Sequence, residues 1–116
     1  MAKIRITNLR LRTVIGANDW ERDIEQDVII NIEMDFDASP SIQSDDLTDT
    51  IDYKTITKEI IEKVEASEFF LIEKLADMVL RIVMKDKRVK AATVRLDKPH
   101  ALRFADSVSI ELTEQR

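Results

Sequence analysis

The segment from Asp27 to Asp37 constrains the fold most, because apolar residues occupy every second position in it. The apolar set is Val28, Ile30, Ile32, Met34 and Phe36, and the positions between them are polar apart from Ile29. Successive side chains of a strand point to opposite faces of a sheet, so this pattern predicts a strand with one buried face. The chain must therefore contain a β-sheet and something that covers one side of it.

Three further segments show the alternation of a strand. In the first, from Ile4 to Ile15, the apolar phase shifts part-way, which predicts a β-bulge near Thr7 and Asn8. Gly16, the only glycine of the chain, ends this strand at a turn that requires positive φ. The two late strands are lined by Ala92, Val94 and Leu96 and by Val108, Ile110 and Leu112.

Two helices are predicted in the middle of the chain. Asp52 is placed to cap a helix that begins at Tyr53, and a second helix runs from about Leu71 to Lys85. The apolar stripe of the first helix is Ile56, Ile60, Ile61 and Val64, and that of the second is Leu71, Leu75, Met78, Val79, Ile82 and Val83. The polar segment Ser39–Thr50 is predicted to be a loop. The order ββααββ predicts an α+β fold, a four-stranded antiparallel sheet with two helices on one face.

Composition narrows the classes of function. The chain has 116 residues, which suits a single domain spanning residues 1–116. Its net charge of −5 argues against a nucleic-acid partner, since nucleic-acid binding needs a basic surface. No apolar run approaches the ~20 residues that cross a bilayer, and the charged N-terminus is unlike a secretory signal. We therefore expect a cytoplasmic protein with no membrane partner.

Metal and nucleotide sites are constrained in the same way. The chain has no cysteine and one histidine, which excludes disulfides, thiolate zinc sites and three-histidine zinc sites. A single glycine excludes the glycine-rich loops that cradle phosphates. A cysteine nucleophile is excluded as well.

The loop between the last two predicted strands is the first candidate site. Lys98 ends one strand, Pro99 follows, and His100 and Arg103 come within the next five residues. One interpretation is a solvated strand end with an exposed histidine. The other is a partly desolvated lysine that exchanges protons, beside an anion site formed by His100 and Arg103.

Other residues also have two interpretations. Glu73, which follows Ile72 in the first turn of the second helix, either balances the helix dipole or accepts two parallel N–H bonds from a planar ligand. Tyr53, at a helix start, either packs or exchanges a proton through its phenol. Glu21, in the acidic segment Asp19–Gln26, is either solvated or part of a site.

Taken in order along the chain, these residues resemble the dihydroneopterin aldolase family. The resemblance covers nearly the whole chain and rests on Leu9–Gly16, Gln26–Ile30, Ile51–Lys58, Leu71–Leu75 and Asp97–Ser109. Asp97–Ser109 is the most specific segment and is similar to the epimerases of the family. Aldolases with a Lys-Pro pair often continue with glycine, where this chain has His100. The segment Asp19–Gln26 is instead more similar to bacterial aldolases.

The resemblance implies a tunnelling fold, in which four-stranded sheets of four subunits join into a barrel and two rings stack into an octamer. It implies active sites between neighbouring subunits, a pterin substrate, no metal and no organic cofactor. It implies that Glu73, next to Ile72, anchors the 2-amino group and N3–H of the pterin. Lys98 would take part in proton transfer, Tyr53 of a neighbouring subunit would protonate the intermediate, and Glu21 would lie near the substrate side chain.

The implied reaction is 2′-epimerisation of 7,8-dihydroneopterin triphosphate to dihydromonapterin triphosphate. The alternative is the aldolase reaction of folate biosynthesis, which releases 6-hydroxymethyl-7,8-dihydropterin and glycolaldehyde. Because a triphosphate needs cations, we expect His100 and Arg103, with Arg10 or Arg12, to hold it.

An alternative of another class is a non-catalytic oligomer that binds a pterin or purine. Such a binder would keep Glu73 but would not need Lys98 and Tyr53, so the presence of all three argues against it.

Overall fold

A computed structural model describes residues 1–116. The four strands are β1 (Ala2–Thr13), β2 (Gln26–Phe36), β3 (Ala91–Pro99) and β4 (Ser107–Gln115), and the α-helices are α1 (Ser39–Ser44), α2 (Tyr53–Glu65) and α3 (Ile72–Met84). Short 3-10 helices cover Asp19–Asp23 and Leu47–Asp49. The strands form one antiparallel sheet in the order β1-β2-β3-β4, so the predicted α+β architecture is confirmed.

The core lies between the sheet and helices α2 and α3. All five apolar residues of the β2 pattern are buried, as are Ala92, Val94 and Leu96 of β3. α3 packs over β3 and β4, while α2 packs over β1 and against α3. Burying an aliphatic side chain of this size stabilises the fold by about 1.5–3 kcal/mol, so this layer is the main source of stability.

The β-bulge in β1 is also confirmed. Ile6 pairs with Ile32 and Leu9 with Ile30, so two residues of β1 stand opposite one residue of β2. Asn8 takes a positive φ of 54°, and its backbone N–H donates to Asn31 Oδ1 at 2.8 Å. The bulge keeps Leu9 and Leu11 on the same face of the sheet as Ile4 and Ile6, which is the face that the helices cover.

Both long helices begin where the sequence predicts. Asp52 Oδ1 accepts hydrogen bonds from the backbone N–H groups of Lys54 (3.1 Å) and Thr55 (3.2 Å), as an N-cap does. The stripe of α2 is buried except for Ile61, which is half-buried. None of the helices is long and apolar enough to span a membrane.

The prediction of a continuous loop over Ser39–Thr50 is wrong. The structure places α1 and a 3-10 helix there, neither of which buries a side chain. Pro40 in the first turn and a left-handed Asp45 at the C-terminus, whose N–H donates to Ser41 O, define α1. Because α1 lacks an apolar stripe, hydrophobic periodicity could not reveal it.

The two ends of the sheet differ in which elements finish there. At one end, here called the site end, β1 and β3 finish and β2 and β4 begin. α2 finishes at this end, because Thr13 Oγ1 at the end of β1 donates to Ser67 O at 2.9 Å. α2 begins at the opposite end, where Arg88, just before β3, donates to Thr48 O at 2.8 Å.

Candidate functional site

The site end holds a buried ion pair between Glu21 and Lys98. Lys98 Nζ lies 2.5 Å from Glu21 Oε2, and the two side chains are only 13% and 4% exposed. Lys98 reaches the helix side of the sheet because it continues the every-second-residue phase of Val94 and Leu96. The pair joins the 3-10 helix before β2 to the end of β3.

Every acceptor position of the Glu21 carboxylate is used. Oε1 accepts from the backbone N–H of Asn18 (3.1 Å) and from its side-chain Nδ2 (2.9 Å). Oε2 accepts from Lys98 and from Gln26 Nε2 (2.9 Å), which also donates to Ile15 O (2.8 Å). A carboxylate has about four lone-pair positions, so Glu21 is saturated within the chain.

These donors decide the protonation state of Glu21. Burial alone would raise its pKa, but the hydrogen bonds from Lys98, Gln26 and Asn18 and the charge of Lys98 outweigh it and lower the pKa to about 2. Glu21 is therefore a fixed anion at neutral pH. Lys98 gives only one of its three N–H donors to Glu21, which leaves two for water or a ligand.

Gly16 makes room for this carboxylate. Its φ of +137° is a conformation that side chains rarely adopt, and a Cβ built there would collide with the Glu21 carboxylate. The positive φ at Gly16 was predicted from the sequence, but its contact with Glu21 was not. The glycine is needed both for the turn and for the position of Glu21.

Arg22 links the 3-10 helix that contains Glu21 to residues 68–70, which connect α2 to α3. Its Nη1 donates to the carbonyl oxygens of Gly16 (2.9 Å) and Phe69 (3.0 Å), and its Nη2 donates to Glu68 O. The guanidinium carbon also lies 4.1 Å from the centroid of the Phe70 ring. Two residues beyond this connection α3 begins, so Arg22 fixes the position of α3 relative to Glu21.

The structure brings some predicted site residues together and separates others. Glu73, exposed in the first turn of α3 beside the half-buried Ile72, lies at the site end with Glu21 and Lys98. Tyr53 is 51% exposed at the start of α2, at the opposite end of the subunit. A 13-residue helix is ~20 Å long, so Tyr53 does not reach Lys98 of its own chain.

The predicted anion-binding residues are also divided. His100 and Arg103 are exposed on the β3–β4 loop, directly after Lys98, and Arg103 lies 5.6 Å from the Phe104 ring centroid. His100 has a φ of 63°, a left-handed conformation that favours glycine. Arg10 and Arg12 instead pair with Asp27 on the other face of the sheet, away from Lys98.

Sequence reasoning missed Asn18, Gln26 and Arg22. Gln26 had a signal, because it continues the buried phase of Val28 and Ile30, where an amide needs a partner. Asn18 and Arg22 had none, since both sit in an irregular segment. Nowhere in the chain do three or more His, Cys, Asp or Glu side chains group as a metal site would.

Comparison with known proteins finds relatives over the whole chain. A family model described as dihydroneopterin aldolase matches residues 4–113. A dihydroneopterin triphosphate 2′-epimerase of Pseudomonas aeruginosa is 45% identical over 116 residues, which are 100% of this chain and 94% of that protein. A protein of the same name from Escherichia coli is 47% identical over 115 residues, 99% of this chain and 96% of that protein.

A second group of relatives carries the name dihydroneopterin aldolase. The Escherichia coli protein of that name is 32% identical over 105 residues, 90% of this chain and 86% of its own length. An atomic-resolution crystal structure of E. coli dihydroneopterin aldolase in complex with neopterin has a TM-score of 0.93 and 31% identity. The likeness covers 98% of this chain and 99% of that one, so it includes the sheet, the helices and the site end.

Proposed function

The chain belongs to the dihydroneopterin aldolase family and is an enzyme of it, and we propose that its main reaction is 2′-epimerisation of 7,8-dihydroneopterin triphosphate to dihydromonapterin triphosphate. The identity of 45% and 47% with two proteins named as epimerases, against 32% with an aldolase, supports this choice. The buried pair of Lys98 and Glu21 is the observation that carries the chemistry, because it presents a lysine with free donors beside a fixed anion.

The aldolase reaction is the second candidate. It is supported by the identity with the E. coli aldolase and by the close likeness to the structure that holds neopterin. The Asp19–Gln26 segment, which provides Glu21 and Arg22, also resembles the aldolases. Both activities share their first step, so the same site serves either one.

The shared step is a retro-aldol cleavage of the C1′–C2′ bond. A base removes the proton of the 2′-hydroxyl, a carbonyl forms at C2′, and the bonding electron pair moves to C1′ and on to the ring imine at N5, which takes up a proton. Protonation at C1′, with loss of the N5 proton as the ring imine forms again, then gives the hydroxymethyl pterin and a free aldehyde. Rebinding of the aldehyde through its other face gives the 2′-epimer. The ring imine is the electron sink, so the proposed reaction needs neither a metal nor an organic cofactor.

Lys98 and Glu21 have different roles in this proposal. A carboxylate with a pKa of about 2 and no free acceptor position is a weak base at neutral pH. We therefore place Glu21 as the anion that positions Lys98, and Lys98 as the group that moves protons to and from the substrate or a bound water. Glu73 anchors the pterin edge, with Ile72 beside it on the apolar side.

The site is proposed to lie between two subunits. Tyr53 is at the wrong end of its own chain to meet Lys98, so the Tyr53 of a working site comes from a neighbouring copy. β1 and β4 are the open edges of the sheet, and pairing them between subunits removes exposed edges. Strands in a closed barrel tilt by roughly 35–45°, which staggers neighbours along the strand direction and brings opposite ends together. A tetrameric ring, stacked into an octamer, follows the family architecture.

His100 and Arg103 are proposed to hold the triphosphate from the Lys98 side of the site. They are charged or polar, exposed and continuous with the end of β3. Retention of the aldehyde fragment decides between epimer and cleavage, so cations here favour the epimer. Arg103→Ala should therefore reduce turnover of the triphosphate far more than turnover of the free alcohol. An equal loss on both substrates would remove Arg103 from this role.

Product analysis tests the main proposal. The purified protein is incubated separately with 7,8-dihydroneopterin triphosphate and with 7,8-dihydroneopterin. A dominant 2′-epimer from the triphosphate supports the epimerase, whereas dominant hydroxymethyl-dihydropterin with glycolaldehyde from the alcohol identifies an aldolase. Pterin binding without turnover of either substrate would instead make the protein a non-catalytic binder.

Mixed oligomers test the shared site. Tyr53→Phe and Lys98→Ala are each expected to lack activity, but co-expressed chains should regain it where Lys98 of one meets Tyr53 of the other. Random assembly in a ring leaves about one quarter of the sites intact. Recovery near that level supports a site between subunits, and no recovery counts against a site that combines Lys98 of one chain with Tyr53 of another.

A further inference from the structure

One face of α2 forms a shallow, open groove that has no role in the reaction as described so far. It is lined by six residues, all of them on α2: Tyr53, Lys54, Thr57, Lys58, Ile61 and Glu62. These positions repeat at intervals of three and four residues, so they share one face of α2. The opposite stripe of the helix is buried in the core, so the groove lies on the solvent side of α2, next to Tyr53.

Lys54 and Lys58 are the exposed lysines that lie one helical turn apart beside Tyr53. The cations of β1 pair with carboxylates of β2, as Lys3 and Arg5 do with Glu33. Lys54 and Lys58 are exposed, and neither side chain forms an ion pair or hydrogen bond within the chain. Residues four apart on a helix have Cβ atoms about 6 Å from each other, so the two ammonium groups can meet one extended anion.

We propose that Lys54 and Lys58 bind the triphosphate of the substrate, from the subunit that supplies Tyr53. This inference rests on the proposed function, which places Tyr53 at the hydroxyls of the substrate side chain. The triphosphate is attached to the end of that side chain, so it continues past Tyr53 into the groove. His100 and Arg103 of the first subunit and the two lysines of its neighbour then hold the phosphates from opposite sides.

A charge-matched pair of variants tests this role. In Lys54→Gln/Lys58→Gln the KM for 7,8-dihydroneopterin triphosphate should rise about tenfold more than the KM for the alcohol, since two exposed charge pairs are worth about that in affinity. The control is Lys63→Gln/Lys87→Gln, which removes two exposed lysines outside the groove. Equal changes for both substrates, or equal changes in test and control variants, overturn the proposal.

Mixed oligomers show which of the two subunits contributes Lys54 and Lys58 to the site. Working sites combine Lys98 of the Tyr53→Phe chain with Tyr53 of the Lys98→Ala chain. Adding Lys54→Gln/Lys58→Gln to the Lys98→Ala chain should raise the triphosphate KM, while adding it to the Tyr53→Phe chain should not. The same KM in both arrangements would show that the lysines act elsewhere.

Failure of this inference is distinguishable from failure of the proposed function. Failure of the proposed function appears in the wild-type protein, either as no turnover of either pterin or as cleavage without formation of the 2′-epimer. Failure of the lysine role appears as wild-type turnover with unchanged discrimination in the variant. Inorganic triphosphate serves as a second probe: it should inhibit wild type about tenfold more strongly than Lys54→Gln/Lys58→Gln, and equal inhibition counts against the groove.

Discussion

Lys98 and Glu21 are 77 positions apart in the sequence and meet at 2.5 Å at one end of the sheet. Both are shielded from water, and desolvation makes a buried ion pair a poor source of stability unless further hydrogen bonds support it. Asn18 and Gln26 supply that support on the Glu21 side alone. The arrangement therefore fixes the Glu21 carboxylate and leaves N–H donors of Lys98 available. The ion pair is better suited to a role in the reaction than to stabilising the fold.

The first prediction concerns stability at low pH. The pKa of Glu21 is lowered from 4.5 to about 2, so the unfolded chain binds more protons between these values. Its contribution is complete above pH 4.5 and is lost as the pH falls toward 2. Urea unfolding between pH 6 and pH 2 should show wild type losing on the order of 3 kcal/mol more than Glu21→Gln. Parallel pH profiles would mean that Glu21 is not held as a buried anion.

The second prediction concerns Gly16. Gly16→Ala should lower stability by about 1–3 kcal/mol, because its left-handed φ is strained for alanine and the new Cβ displaces the Glu21 carboxylate. Activity should fall further than stability explains, since Lys98 loses its partner. Ala17→Ser, at the exposed next residue, is the control and should change neither. Thermal unfolding and steady-state kinetics of both variants decide the matter.

Alternation along the strands carries information about this site that the loops lack. The phase of Val28 and Ile30 extends back to Gln26, and the phase of Val94 and Leu96 extends forward to Lys98, so two polar residues fall on the buried face. A charged or amide side chain there needs a partner. The sequence thus identified Lys98 as a candidate but not Gln26, whose position on the buried face is visible only by extending the phase of β2, and it did not identify Glu21 as their shared partner.

The remaining contacts depend on tertiary structure that no local pattern encodes. Arg22 bonds to carbonyl groups 46 and 47 residues away, and any exposed arginine in an acidic segment would look the same in the sequence. The distance between Tyr53 and Lys98 likewise follows only from the direction of α2 along the sheet. The family resemblance supplied the link between these two residues, and the fold gives it a physical reason.

The third prediction concerns Arg22. Arg22→Gln removes three hydrogen bonds to backbone carbonyls and should cost about 1–3 kcal/mol of stability. The Gly16 N–H, which donates to Phe69 O, should then exchange with deuterium faster. Arg88→Gln, which loses a bond to Thr48 O at the other end of the subunit, is the control. Unchanged exchange at Gly16 in Arg22→Gln would show that the guanidinium does not hold this segment.

The fourth prediction separates a binding role of His100 from a structural one. A left-handed conformation costs a non-glycine residue about 1 kcal/mol, so His100→Gly should leave stability unchanged or slightly raised. The KM for the triphosphate should nevertheless rise, and more cleavage product should form. His100→Asn keeps a residue that tolerates this φ and serves as the control for backbone geometry. A variant that is more stable and equally selective would leave His100 without a binding role.

The fifth prediction concerns Glu73. Its side chain is exposed and forms no hydrogen bond within the chain, so Glu73→Gln should change stability by less than about 0.5 kcal/mol. Loss of one or two charge-assisted hydrogen bonds should nevertheless weaken neopterin binding by on the order of 2–4 kcal/mol, measured by fluorescence titration. Glu111→Gln, exposed in the middle of β4 on the face away from the helices, removes the same charge away from the site and should bind normally. Equal affinity in Glu73→Gln and wild type would exclude Glu73 as the pterin anchor, whatever the activity of the variant.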